Sequence, residues 1–92
     1  MEHMLKKIED IFLALGFKTE FVGEKQLRYL RYQDCFCKVT PLEQWNAFVI
    51  ESANNVQDAE KQVLEDGEIY YMDTPETELL HQVEEDIKKF YM

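Results

Sequence analysis

The spacing of apolar residues changes along this chain from helical to strand-like and back, and this change most constrains its fold. Near the start, apolar residues recur every three or four positions, as at Leu5, Ile8 and Phe12, which predicts an amphipathic helix over residues 2–15. A second stripe that includes Leu79 and Val83 follows a Thr-Pro-Glu start signal and predicts the last helix. Strand-like segments occupy most of the chain between them.

Five segments between the end helices are typical of strands, and polar or glycine-containing turns separate the first four. Those short connections predict an antiparallel meander. An asparagine-rich cluster at residues 52–55 predicts the start of another helix, which we expect to end at Gly67. The predicted strands cover residues 17–22, 26–32, 35–40, 44–51 and 68–73.

The element order is therefore α-β-β-β-β-α-β-α, which predicts an α+β fold rather than a doubly wound α/β fold. A length of 92 residues fits one domain, 1–92, and a 46% hydrophobic fraction supplies its core. We expect a mostly antiparallel sheet of four to five strands packed against two or three helices.

The charge of the chain is concentrated in its second half. Residues 1–46 carry seven basic and seven acidic side chains, whereas residues 47–92 carry three lysines and twelve acids. The net charge of −9 disfavours binding to nucleic-acid phosphates or to anionic membranes, because both need a cationic surplus. We therefore expect no nucleic acid and no membrane among the partners.

Part of the acidic surplus breaks a local rule. Glu65 and Asp66 fall in the predicted last turn of the second helix, where the helix dipole disfavours negative charge. Departures from local consistency are more common at functional sites. Asp73, Glu76 and Glu78 form a second acidic group, and residues 84–86 form a third. The acids form either a face that attracts a basic partner or an ordinary solvated surface.

Adjacent tyrosines give the least ordinary local signal. Tyr70 and Tyr71 lie in one predicted strand, so one of them must leave the helix-packed side of the sheet. Tyr32, Leu30 or Trp45 is expected to join it there. Exposed aromatic side chains are typical anchors of interfaces, so this side is either a docking surface or partly buried under a loop.

Residues with the chemistry of catalysis or metal binding are few. Cys35 and Cys37 share one face of a strand, and we expect two small apolar side chains in the core rather than a metal or redox site. Glu78 and His81 form a single Glu-x-x-His motif, whereas di-iron bundles need two. Motifs for nucleophiles, phosphate loops and calcium loops do not occur. We expect no cofactor and no enzymatic activity.

These observations predict a non-catalytic, acidic protein–protein interaction module that binds a basic partner, as inhibitor, immunity or antitoxin proteins do. The alternatives are a small homo-oligomer, such as a homodimer, joined through an aromatic sheet face, and, as a third reading, a small enzyme or ligand sensor. The start of the chain carries no export signal and the cysteines are few, so we expect a cytoplasmic protein with reduced thiols. The predicted partner-binding residues are Asp58, Glu65, Asp66, Glu68, Tyr70, Tyr71, Asp73, Glu76 and Glu78.

Overall fold

A computed structural model describes residues 2–92, which form three helices, a single 3₁₀ turn and five strands. The predicted order α-β-β-β-β-α-β-α and the α+β class are both confirmed. The helices are α1 (Glu2–Ala14), α2 (Val56–Lys61) and α3 (Glu76–Phe90), and the 3₁₀ turn covers Glu43–Trp45. The strands are β1 (Lys18–Val22), β2 (Leu27–Tyr32), β3 (Cys35–Leu42), β4 (Ala47–Ala53) and β5 (Glu65–Tyr71).

All five strands form one antiparallel sheet in chain order, β1-β2-β3-β4-β5. The pairing of β2 with β3 extends only from Tyr32 opposite Cys35 to Leu30 opposite Cys37. The remainder of β3 pairs with β4 alone, and Pro41, which has no N–H to donate, lies in that part. The meander leaves β1 and β5 as the two edges.

Helices α1 and α3 cover one face of the sheet, which we call the helix-packed face. Its core joins Ile8 and Phe12 of α1 with Val83 and Ile87 of α3. Alternate strand residues complete it, because side chains two positions apart point to the same side of a strand. Those strand residues are Leu30, Cys37, Phe48, Ile50 and Tyr70.

The opposite face is covered at one end only, by the six-residue helix α2. Ala59 of α2 packs against Tyr29, Phe36 and Ala53, and the Tyr29 hydroxyl donates a 2.7 Å hydrogen bond to the Ala59 carbonyl oxygen. Asn55 caps this helix, because its side-chain oxygen accepts the Asp58 N–H at 2.8 Å. We call the uncovered remainder of this side the open face.

The prediction that the second helix ends at Gly67 is wrong. Gln62 adopts a left-handed backbone conformation with φ of 58°, and the N–H groups of Gln62 and Val63 return to helix carbonyls. This arrangement terminates a helix without glycine. The chain then enters β5 at Glu65, so Glu65 and Asp66 lie in a strand and the predicted dipole penalty does not apply.

Gly67 has a different role, in the middle of β5. A Cβ at this position would collide with the Tyr91 hydroxyl and lie 2.9 Å from the Ile50 carbonyl oxygen. The register of β5 against β4 shifts at the same place, between Val49 and Glu51. The glycine therefore permits the end of α3 to approach the sheet backbone closely.

Three side chains differ from the predicted arrangement of the sheet. Leu30 and Tyr32 belong to the helix-packed face, so only Trp45 of the three predicted companions lies on the open face. Trp45 itself ends the 3₁₀ turn rather than lying in a strand, and Asn46 follows it in a left-handed conformation.

Within residues 2–92, the helices are all too short and too polar to cross a membrane.

Candidate interaction surface

An apolar groove lies on the open face of the sheet. Its volume is about 360 Å³, and Val49 of β4 lies within it between β3 and β5. Trp45 and Ile69 stand at its sides with 55% and 36% of their surfaces exposed. We call this feature the open groove; its lining residues are Thr40, Leu42, Trp45, Val49, Glu51, Asp66, Gly67 and Ile69.

The sheet register explains why these side chains meet. Val49 pairs with Ile69, and Thr40 pairs with Val49 from the other side, so the three lie side by side across three strands. Tyr71, two residues after Ile69, lies on the same side of β5 with 49% of its surface exposed. The prediction that one of the two adjacent tyrosines leaves the helix-packed face is confirmed by Tyr71.

Two carboxylates lie at one end of the open groove. Glu51 and Asp66 are cross-strand partners on β4 and β5, and the Thr40 hydroxyl donates a short hydrogen bond to Glu51. Lys38 is the cross-strand neighbour of Glu51, yet within residues 2–92 neither carboxylate forms an ion pair. The apolar groove therefore adjoins two carboxylates that form no ion pair within the described chain.

The acidic side chains continue from Asp66 around the start of β5. Asp66 and Glu65 also border a hollow of about 400 Å³ beside the end of α3, together with Glu68. Glu65 and Asp58 line a neighbouring hollow of about 90 Å³ next to the loop that follows α2. Four of the predicted partner-binding residues thus lie together, and we call Asp58, Glu65, Asp66 and Glu68 the acidic end.

Tyr70 does not belong to this surface, which corrects its assignment as a partner-binding residue. Only 3% of Tyr70 is exposed, its ring stacks on Phe48 at 5.1 Å, and its hydroxyl donates a 2.7 Å hydrogen bond to Asp86. Burial, and then the bond to Asp86, raise the pKa of the Tyr70 hydroxyl. Successive side chains of a strand point to opposite faces, so Tyr70 faces the helix-packed core and Tyr71 faces the open face.

The remaining predicted acids lie at the opposite end of β5, where the chain enters α3. Asp73 precedes the helix, and Glu76 and Glu78 occupy its first turn. Glu76 forms a 2.8 Å ion pair with Lys7 of α1, which lowers the pKa of the Glu76 carboxyl. The predicted partner-binding acids therefore divide into two groups, one of which is partly neutralised by Lys7 of the first half of the chain.

Two of the seven basic residues of the first half pair with acids of the same half. Arg28 forms a two-pronged pair with Glu9 at 2.9 Å, and Arg31 reaches Glu20 at 2.8 Å. Among residues 2–92, Lys7 is the one cation of the first half that pairs with an acid of the second. Most of the second-half acids thus keep their charge available to a partner.

Other chemistry-bearing residues lie away from the open groove. Cys35 and Cys37 share the helix-packed side of β3, as predicted. His81, Glu84 and Glu85 place donor atoms within 4.8 Å of one another on α3, but His81 and Glu85 are exposed and Glu84 also lies 3.8 Å from Lys88. An exposed cluster of this kind is common on acidic helices and carries no metal assignment.

Several groove residues were not among the predicted partner-binding residues, notably Leu42, Val49 and Glu51. The signal for Val49 and Glu51 was present in β4, where apolar side chains alternate less strictly than a one-sided strand requires. Their meeting with Ile69 depends on β5 pairing with β4, and the strand order does not follow from local pattern.

The chain was compared with models of protein families, with curated proteins and with solved structures. No match was found in any of the three comparisons.

Proposed function

We propose that this protein is a non-catalytic binding module that holds a basic partner protein against the open groove and the acidic end. The observation that carries the proposal is the exposure of Trp45, Ile69 and Tyr71 on one sheet face beside Glu51 and Asp66. The open groove supplies apolar contact area, and the carboxylates supply charge for recognition.

Aromatic side chains support a protein partner over a small molecule. Tryptophan and tyrosine are the residues that most often dominate binding energy at protein interfaces, where a few central side chains carry most of the affinity. Trp45 and Tyr71 each leave about half of their surface in solvent. A partner side chain that enters the open groove would cover Trp45 and Ile69 together.

Charge favours a partner that carries lysine or arginine. The net charge of −9 attracts such a protein over long range, and the acidic end would orient it on arrival. Glu51 and Asp66 border the apolar contact directly, so a partner cation beside an apolar side chain matches the surface. Rim charges of this kind act mainly on the association rate and on specificity.

The proposal is tested by capture from the native lysate at low salt, with wild-type protein and matched variants as baits. Trp45→Ala removes the aromatic side of the groove, and Phe21→Ala removes an aromatic residue of equal exposure, 54%, from the edge strand β1. We expect a basic protein that is retained by wild type and by Phe21→Ala but lost with Trp45→Ala. Equal retention by both variants would count against the open groove.

A second candidate function is self-association through the same face, because two copies could cover Trp45, Ile69 and Tyr71 mutually. Light scattering at high protein concentration separates the two. A homodimer that dissociates on Trp45→Ala favours self-association. A protein that stays monomeric at low and high salt excludes self-association, and binding of a basic partner remains as the function. The repulsion between two chains of charge −9 favours the monomer at low salt.

A further inference from the structure

Two thiols lie in contact on one side of β3. The Sγ atoms of Cys35 and Cys37 are 3.6 Å apart, and both residues are free cysteines. Phe36 separates them in sequence and points to the opposite face, where it packs with Tyr29 and α2. Because side chains two positions apart in a strand share a face, the regular backbone of β3 places both sulfur atoms on the helix-packed side.

The two thiols differ in their access to solvent. Cys37 is fully buried in the main core, whereas Cys35 is half-buried. Cys35 borders a surface hollow of about 260 Å³ whose other lining residues include Tyr32, Asn54 and Tyr91. A small reagent can thus reach Cys35 from solvent, whereas Cys37 has no surface exposed to it.

The two thiols also differ in acidity. The hydrogen bond between the two thiols lowers the pKa of Cys35, and the same bond together with burial raises the pKa of Cys37. Oxidation-sensitive cysteines are typically accessible thiols of lowered pKa beside a second thiol that resolves the first oxidation product. Burial of Cys37 among apolar groups favours a neutral product, a disulfide, over a metal complex that would need two thiolates.

We propose that Cys35 and Cys37 form an oxidation site at which a hydroperoxide converts the two thiols into an intrachain disulfide. The Cys35 thiolate attacks one peroxide oxygen, the O–O bond breaks, and Cys35 becomes a sulfenic acid while hydroxide leaves and takes up a proton. The Cys37 sulfur then attacks Cys35 Sγ, the S–O bond breaks, and the Cys37 proton leaves with the hydroxyl group as water. In sum, two thiols and one hydrogen peroxide give one disulfide and two waters.

The geometry of a strand makes this disulfide easy to reverse. Residues two apart in a strand have Cα atoms roughly 6.6 Å apart, close to the upper end of the range that disulfides span, about 6.8 Å. Closing the bond must draw the two Sγ atoms from 3.6 Å to about 2.0 Å. This strains β3 at Phe36, whose ring packs under α2 with the Arg31 guanidinium 4.8 Å above it. Strained disulfides are reduced readily, so low-molecular-weight thiols should restore the two cysteines.

The test uses the purified full chain, reduced and then treated with hydrogen peroxide. Trypsin cleaves after Arg31 and Lys38, so one peptide, residues 32–38, contains both cysteines and no methionine. We expect this peptide to lose the mass of two hydrogen atoms, to regain it after excess glutathione, and to show no covalent dimer. A wild-type peptide that keeps both thiols, or gains only sulfinic or sulfonic oxygen, would overturn the proposal.

Two variants separate the roles of the thiols, and circular dichroism verifies that each is folded. With Cys37→Ala, the sulfenic acid of Cys35 persists and is trapped by dimedone. With Cys35→Ala, the remaining thiol should react at least about ten-fold more slowly, because Cys37 is fully buried and burial disfavours its thiolate. Equal peroxide reactivity of the two variants would contradict the assignment. The mass of the wild-type peptide shows whether the disulfide forms, even where a variant fails to fold.

Discussion

The two faces of the sheet differ in how completely helices cover them. The helix-packed face lies under α1 and α3, of 13 and 15 residues, and contains the large core that runs from Ile8 to Ile87. Within the described residues, the open face has only α2, of six residues, which covers Tyr29, Phe36 and Ala53. A helix of that length is about 9 Å long and is too short to cross five strands. Apolar side chains beyond its reach stay exposed, and they form the open groove.

The largest effect that distinguishes the two faces is expected for stability. Phe48 is fully buried on the helix-packed face and stacks on Tyr70. Phe48→Ala should lower the free energy of unfolding by about 3–5 kcal/mol, since it removes a large buried side chain and leaves a cavity. Trp45→Ala on the open face should lower it by less than about 1 kcal/mol. Urea unfolding of both variants measures the contrast, and equal losses would mean that Trp45 belongs to the core.

Partner binding should show the reverse order of importance. Trp45→Ala should weaken binding of the captured partner by about 2 kcal/mol or more, the loss expected for a central aromatic anchor. Phe21→Ala, of equal exposure, should leave the affinity unchanged. Isothermal titration calorimetry with the captured partner measures both. A loss of affinity in Phe21→Ala alone would place the interface on the other side of the sheet.

The buried hydroxyl of Tyr70 should make the free energy of unfolding depend on pH in the alkaline range. Tyr70→Phe should lower the free energy of unfolding by about 1–2 kcal/mol near neutral pH, because Asp86 loses its hydrogen-bond donor. The pKa of Tyr70 is raised from an ordinary value of 10.0, and burial raises that of Tyr91 to about 12.

The folded state therefore holds these protons more tightly than the unfolded state does. The stability that they contribute is complete below about pH 10 and declines as the pH rises toward the folded-state values. Urea unfolding at several pH values should show a shallower alkaline decline for Tyr70→Phe than for wild type. Identical declines would mean that Tyr70 does not carry this linkage.

The smallest expected effect concerns single charges at the acidic end. Asp66→Asn should lower the association rate with a basic partner by a few-fold at low salt, with little change in the dissociation rate. The difference from wild type should disappear at high salt, because ions screen the attraction. Glu24→Gln, in the turn between β1 and β2, is the matched control. Stopped-flow measurement of the association rate at several salt concentrations tests this prediction. A wild-type association rate that does not change with salt would contradict electrostatic steering.

Local pattern is sufficient for the fold class and for the two long helices. The stripes from Leu5 and from Leu79 mark α1 and α3, whose buried residues include Ile8, Phe12 and Val83. The end of α2 was predicted wrongly, because a glycine after a helical stripe usually marks a C-terminus. Here Gln62 ends the helix instead, and Gly67 is required by the approach of Tyr91. That contact joins distant parts of the chain and leaves no local signal.

The candidate surface was predictable only in part. The acidic surplus and the exposure of one of the paired tyrosines follow from composition and strand alternation. The meeting of Asp66 with Glu51, and of Ile69 with Val49, depends on the register between β4 and β5. The burial of Tyr70 also depends on which face α3 covers. Register and layer order are properties of the whole sheet, so residue-by-residue patterns leave them open.

The chain-order sheet has a kinetic consequence. Each strand pairs with the next one along the chain, so hairpins can add one at a time with little loop-closure entropy at each step. Packing of α1 on α3 instead joins segments from opposite ends, as the Lys7–Glu76 contact across 69 positions shows. We expect the meander to be largely formed in the folding transition state and the two long helices to dock after it. Substitutions between α1 and α3 would then accelerate unfolding and leave the folding rate nearly unchanged.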